Sequence, residues 1–154
     1  MDDTIPRLTE LVTSASWRVR RGTAKELEPF GITPAQARVL RIVASAPEPL
    51  RMADLAERLD VVPRSATTMI DALESAGLVE RRPDPADRRS VRLGVTESGR
   101  GLLDRLRARR EAKAEELFGR LTAAEQEELA RILARVLDDE PTEAGATEVG
   151  GRQS

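Results

Sequence analysis

The chain has 154 residues, a formal net charge of −2, 34% charged residues and a hydrophobic class of 40%. That length suits one domain or two small lobes sharing a core. It contains no cysteine and no histidine, which removes disulfides, thiol chemistry, Cys/His zinc sites and histidine general bases together. A carboxylate-only metal site stays formally open; the expectation is no metal and no cofactor.

The N-terminal MDDTIPRL is acidic and carries no apolar segment of the signal-peptide kind. No run of 18 apolar residues follows anywhere, so no membrane span is expected and the location is read as cytoplasmic. The first helix is predicted over 4–28. Ile5, Leu8, Val12, Ala15 and Val19 recur at helical spacing on one stripe, and Pro29 and Gly31 are expected to end it. Thr33-Pro34-Ala35-Gln36 opens a second helix as a capping box with proline in the first turn. Its apolar face is Ala37, Leu40, Ile42, Val43 and Ala44, and Pro47-Glu48-Pro49 stops it. A short third helix covers 51–59, with Met52, Leu55, Ala56 and Leu59 on one face. After a break at Asp60-Val61-Val62, Pro63 starts a fourth helix to about Ala76, ended by Gly77, with Ala66, Met69, Ile70 and Leu73 inward.

The period then changes. Val91, Leu93 and Val95 alternate with Ser90, Arg92 and Gly94, which reads as a strand. Leu78–Arg82 is expected to pair with it, joined by a loop over Pro83–Arg89. A long helix runs from Thr96-Glu97-Ser98-Gly99 to about Gly119, with Leu102, Leu103, Leu106, Ala114 and Leu117 on one face. Thr122-Ala123-Ala124-Glu125 is a second capping box and opens a last helix with Leu129, Ile132, Leu133, Val136 and Leu137 inward. From Asp138 the chain turns acidic and glycine-rich, and 139–154 is read as a disordered tail.

The fold class is therefore mainly α with a small β-hairpin: a winged helix-turn-helix plus a terminal-helix dimerisation region. The expected division is 1–30, an N-terminal dimerisation helix; 31–97, the winged lobe; 98–138, C-terminal dimerisation helices; and 139–154, the acidic tail. On the fourth helix, Arg64 and Thr68 fall opposite the inward face, with Ser65 and Thr67 on its flanks. In a helix-turn-helix, the start of the second helix enters the major groove. There Arg can fork onto guanine, and Ser and Thr can contact bases or phosphates. A plain surface helix with a cluster of small hydroxyls is the alternative, and the short helix before it and the hairpin after it argue against that.

The hairpin holds Arg81, Arg82, Arg88, Arg89 and Arg92 within twelve positions. Pro83 and Pro85 stiffen it. Asp84 and Asp87 can accept from loop amides, and Asp87 can also orient Arg89 through a charge-assisted pair. That leaves Arg88 to project towards an adjacent minor groove, where negative potential concentrates. The competing reading is a solvated turn whose arginines balance its aspartates; simple solvation needs neither the prolines nor this density.

Residues 52–99, MADLAERLDVVPRSATTMIDALESAGLVERRPDPADRRSVRLGVTESG, resemble the DNA-binding core of the MarR family of bacterial transcription regulators. LESAGLVER, the wing DPADRRS and the exit VTESG carry the resemblance, and the flanking helices extend it over about residues 5–138. It implies a homodimeric regulator, usually a repressor, that binds a palindromic operator in double-stranded DNA. Arg64, Ser65, Thr67 and Thr68 would face the groove, Arg88 and Arg89 would form the wing tip, and Asp87 would support it. Many members carry a basic residue at the position of Thr68 and a small one at that of Arg64, so the base-reading pattern departs from theirs. Many also have LT where this chain has LGVT. The resemblance further implies a small, often aromatic and anionic, inducer between the dimer helices and the winged lobe. The absence of cysteine excludes the peroxide-sensing thiol mechanism known in the family.

Two residue-level arguments stand beside it. Ile5, Leu8 and Val12 near one chain end, and Leu129, Ile132, Leu133 and Val136 near the other, are apolar stripes with no evident cover except each other or a second copy. Trp17 and Arg18, with Arg20 and Arg21 close by, set a flat apolar ring beside guanidinium groups, which suits an apolar carboxylate; the alternative is that Trp17 caps the dimer core. An enzyme is not expected: Glu115-Glu116 and Glu127-Glu128 are adjacent carboxylates that diverge on a helix, and there is no nucleophile–base pair or glycine-rich phosphate loop. A winged-helix module that binds protein instead of DNA is the main functional alternative.

Overall fold

The computed structural model describes residues 3–138; the acidic tail read over 139–154 lies outside them. The chain divides into two compact units between Leu117 and Phe118. Helix α1 spans Thr4–Arg20 and α2 spans Ala24–Leu27, followed by a 3-10 turn over Glu28–Phe30. Next come α3 (Pro34–Ser45), α4 (Met52–Leu59) and α5 (Pro63–Ser75), then the antiparallel strands β1 (Val79–Asp84) and β2 (Asp87–Val95). Helix α6 (Glu97–Phe118) and α7 (Ala123–Asp138) complete the described chain.

The first helix is shorter than the expected span 4–28 and stops where its apolar stripe stops, just after Val19. It ends at Arg20, because Gly22 takes a φ of +97°, a conformation that glycine adopts without penalty. The chain restarts as α2 and the 3-10 turn, and Gly31, at φ +63°, closes that turn. Helix α3, expected from the sequence as the second helix, follows its pattern closely. Gln36 accepts from the Thr33 amide at 2.8 Å and donates its own amide to the Thr33 hydroxyl at 3.2 Å, so two otherwise orphaned donors are satisfied reciprocally. Val39 is buried on α3 and Ala44 is exposed, which rotates the inward face slightly from the predicted one. Asp60 ends α4 in the left-handed region at φ +52°.

The core lies in the winged lobe. Leu40, Leu55, Ala66, Ile70, Leu73, Leu78 and Leu102 are fully buried, with Val39, Val79 and Leu93 nearly so. Met52, Leu59 and Met69 pack against them partly buried. Leu102 and Leu106 bring the first turns of α6 into the same core. The junction between β2 and α6 is tightly knit. The Thr96 amide donates to Leu78 O at 3.1 Å, its hydroxyl donates to Gly77 O at 2.6 Å, and the same hydroxyl accepts from the Gly99 amide at 3.0 Å. A Cβ at Gly99 would collide with the Leu78 carbonyl and come within 2.7 Å of Val95 Cγ1, so helix and strand meet there at a distance only glycine allows.

Neither α1 nor α7 contains a buried residue. On α1, Ile5, Leu8, Leu11 and Val12 are exposed; on α7, Ile132, Val136 and Leu137 are exposed and Leu129 and Leu133 half-buried. The start of α7 matches its predicted cap. The Thr122 amide donates to Glu125 Oε2 at 2.8 Å and the Glu125 amide donates to the Thr122 hydroxyl at 3.3 Å. The Thr122 amide, and then the Thr122 hydroxyl, which donates to the same oxygen at 2.9 Å, hold the Glu125 carboxyl below its usual range. Among the described residues no helix is long and apolar enough to cross a membrane.

Candidate nucleic-acid interface

Helix α5 is positioned from both ends. Pro63 occupies its first turn, where the missing N–H costs nothing, and Ala66, Ile70 and Leu73 anchor its inner face. Arg64, Thr67 and Thr68 are exposed and Ser65 is half-buried, as the helical wheel requires. Thr67 Oγ1 donates to Pro63 O and Thr68 Oγ1 to Arg64 O, each at 3.0 Å. Their hydroxyl hydrogens are thus engaged, and these residues present acceptor lone pairs and methyl groups outward. A methyl can contact a thymine methyl, and the oxygen can accept from a base amino group. Arg64 has no side-chain partner among the described residues and is left as a donor fork. Asp71, on the same outer side, is not available: its carboxylate accepts from Arg81 at 2.6 Å.

The hairpin is longer in strand and shorter in loop than predicted. Pairing runs from Val79↔Val95 to Pro83↔Val91 and, past an irregularity, to Asp84↔Asp87. Only Pro85-Ala86 connects the strands, not the whole of Pro83–Arg89. Pro83 is tolerated because β1 is an edge strand of this two-stranded sheet. The apolar alternation of β2 meets the core only at its base: Leu93 and Val95 are buried, whereas Val91 is 37% exposed where the hairpin has left the lobe.

The five arginines have separate fates. Arg81 at the root bridges Asp71 and Glu74 on α5. Burial works against its charge, and the bonds to these carboxylates outweigh it, so its pKa is raised. Arg82 pairs with Glu80 on its own strand. Arg92 donates from Nε to Asp84 at 2.8 Å and from Nη1 to Pro49 O at 2.7 Å. Arg88 and Arg89 are exposed and have no side-chain partner among the described residues. Asp87 supports the tip differently from the predicted ion pair: its Oδ1 accepts from the Arg89 backbone amide at 3.0 Å. The fixed group is the peptide, and the Arg89 guanidinium remains free.

Sequence reasoning missed the role of Asp84. It is the one buried charged residue of the described chain, 2% exposed. Besides the predicted bond from the Ala86 amide, at 3.0 Å, it accepts from Arg92 and from Arg51 Nε at 3.1 Å, with Arg51 Nη2 in an ion pair at 3.0 Å. The Ala86 amide, against the opposing cost of burial, and then Arg92 and Arg51 hold its carboxyl below the usual carboxylate range.

Trp17 is 59% exposed and the Arg21 guanidinium lies over its ring, 5.2 Å from the centroid, a cation–π contact. Arg18 is exposed, and Arg20 Nε donates to Ser16 O at 3.3 Å. Elsewhere in the same unit, Arg41 on α3 is half-buried, and its pKa is lowered first by that burial and then by Arg110, Arg38 and Arg20. No carboxylate among the described residues pairs with Arg41. No group of three or more acidic side chains is placed to hold a metal among them either.

Two helices and a hairpin, with a hydrogen-bonding helix start and an unpaired basic tip, define a winged helix-turn-helix of the kind found in transcription regulators. The profile described as the MarR family matches residues 32–91. The HTH-type transcriptional repressor Rv2887 of Mycobacterium tuberculosis is 32% identical over 121 residues, covering 79% of this chain and 86% of its own. The crystal structure of YusO from Bacillus subtilis superposes with a TM-score of 0.72 at 29% identity, over 90% of this chain and 95% of that one. The MepR–DNA complex of S. aureus shares the fold with a TM-score of 0.65 at 22% identity, over 86% and 94%. The chain belongs to the MarR family, and it is a DNA-binding transcriptional regulator of the winged helix-turn-helix type.

Proposed function

We propose that the protein is a homodimeric repressor that binds a palindromic operator and is released from it by a small anionic ligand. The observation that carries the DNA-contact assignment is the sorting of the wing arginines. Three are paired with carboxylates, and the two at the tip, Arg88 and Arg89, are left without a partner among the described residues. Unpaired arginines on a stiff hairpin suit phosphate or a narrow minor groove, while Arg64, Ser65, Thr67 and Thr68 read the neighbouring major groove. Repression is supported by the designation of Rv2887 as a repressor, and DNA engagement by the complex known for MepR.

The dimer reading rests on the apolar residues of α1 and α7, none of which is buried. Ile5, Leu8 and Val12 with Leu129, Ile132, Leu133 and Val136 form the seam. Two recognition helices about 34–36 Å apart then meet successive turns of one DNA face. The ligand reading rests on Trp17, Arg18 and Arg21, with the surplus of positive charge around Arg41 favouring an anion. Ligand binding shifts the dimer towards a lobe spacing that no longer matches successive grooves.

A titration on the DNA flanking the protein's own coding region, at two salt concentrations, tests the reading. Tight, sequence-selective, salt-dependent binding is expected. Arg64→Ala is expected to cost about 1–3 kcal/mol and to relax one base preference. Binding equal to that of unrelated DNA at both salts overturns the operator assignment and favours the protein-interaction module.

A further inference from the structure

The start of α4 breaks a local rule. The residue preceding a helix is usually Ser, Thr, Asp or Asn, whose oxygen accepts from the first free amides. Here that residue is Arg51, with no acceptor to offer. Its own amide is served by Asp54 Oδ2 at 3.0 Å, and its guanidinium is sent 33 positions along the chain to Asp84 at the end of β1.

Asp84 joins three segments at one buried carboxylate. Arg51 comes from the start of α4, Arg92 from β2, and the Ala86 amide from the hairpin turn. Backbone contacts run alongside. The Leu93 amide donates to Leu50 O at 2.8 Å, Arg51 and Arg92 form an isolated antiparallel bridge, and Arg92 Nη1 holds Pro49 O. The far side of the hairpin is therefore fastened to the entrance of α4, while Arg81 fastens the near side to α5.

We infer that Arg51, acting through Asp84, is a positioning residue for DNA binding: it latches the wing to the helix-turn-helix so that Arg88 and Arg89 stand at a fixed place relative to α5. A hairpin projecting beyond the core has few apolar contacts to restrain it. A carboxylate that is itself buried and bonded on three sides supplies that restraint, because each partner lost leaves it short of a hydrogen bond. Arg51 itself does not touch DNA in this assignment, which rests on the reading of Arg88 and Arg89 as DNA contacts.

The experiment is a double-mutant cycle in the full-length protein, with the DNA upstream of its own coding region as probe. Arg51→Ser removes the latch and installs a better helix cap, so the lobe stays folded. Amide exchange at Ala86 to Ser90 should quicken in Arg51→Ser. DNA affinity should fall about tenfold and the salt slope by about one to two units, as when phosphate contacts are lost. Arg88→Ala/Arg89→Ala should show the same losses, and adding Arg51→Ser to that variant should change little further. Arg51→Lys, which keeps the charge without the fork, should recover part of the affinity.

Unchanged exchange at the tip overturns the latch whatever the DNA result. So does a full, additive loss from Arg51→Ser in the tip-less background, which would mean that Arg51 contacts DNA itself. Wild-type affinity in Arg51→Ser while Arg88→Ala/Arg89→Ala binds weakly overturns the latch alone. Wild-type affinity in Arg88→Ala/Arg89→Ala overturns the wing reading, and the positioning role with it.

Discussion

In the winged lobe Leu40, Leu55, Ile70, Leu73 and Leu78 are fully buried, while on α1 Ile5, Leu8, Leu11 and Val12 sit at helical spacing and are each at least half exposed. Both regions use the same aliphatic side chains, and both patterns are equally regular in the sequence. The difference lies in what surrounds them. The lobe closes on itself because three helices, a strand pair and the first turns of α6 supply walls on every side. Helices α1 and α7 each have one apolar face and bury none of their residues. An amphipathic stripe therefore says that a face needs covering, and it does not say by what.

The comparison can be broken by removing one leucine from each region. Leu55→Ala, in the closed core, should lower unfolding stability by about 2–5 kcal/mol through lost burial and the cavity left behind. Leu8→Ala should barely alter the stability of the isolated chain, yet raise the dimer dissociation constant by about tenfold, as a buried seam contact does. Chemical denaturation reads the first, and sedimentation over a range of concentrations reads the second. Equal losses of chain stability would mean that α1 is covered within its own chain. Thr33→Ala, which removes a satisfied cap on the lobe side, should cost about 1 kcal/mol in the same denaturation assay.

The smallest expected effect is acid loosening of the wing. The Asp84 carboxyl is held below its ordinary value in the folded lobe. Its stabilising contribution is therefore complete above the unfolded carboxylate range, near pH 4, and is lost as pH falls through the depressed folded value. Melting curves between pH 7 and pH 3 should show this decline, and Asp84→Asn should remove its share of it. A decline unchanged in Asp84→Asn would move the acid sensitivity elsewhere, the Glu125 cap of α7 included.

Much of the lobe was legible in the sequence because its signals are local. Thr33 and Gln36 announce a cap three residues apart, and Pro63 with Gly77 brackets α5. The spacing of Ala66, Ile70 and Leu73 turns Arg64, Thr67 and Thr68 outward. The apolar stripe ends at Val19, one residue before α1 does, and the stop expected at Pro29 passes over Gly22, where the helix breaks. The hairpin loop is shorter than the expected Pro83–Arg89 because proline, which usually stops pairing, here lies at Pro83 on an edge that tolerates it. The Asp84 site could not be found from spacing. Arg51 and Arg92 stand 33 and 8 positions from it, and no periodicity links them. The available signal was Arg51 itself, a residue in the capping position that cannot cap.

The knot at Thr96 and Gly99 has a mechanical consequence. It leaves no flexible link between the wing strand and α6, because Thr96 holds Gly77 and Leu78 while Gly99 presses on the Leu78 carbonyl. Helix α6 has 22 residues and at 1.5 Å per residue is about 33 Å long. Joined in this way, β2 and the first turn of α6 form one piece. A tilt of about 5° over that length displaces one end by about 3 Å relative to the other, close to one base-pair step of 3.4 Å. Tilting α6 against β2 therefore requires breaking the bonds from Thr96 to Gly77 and Leu78.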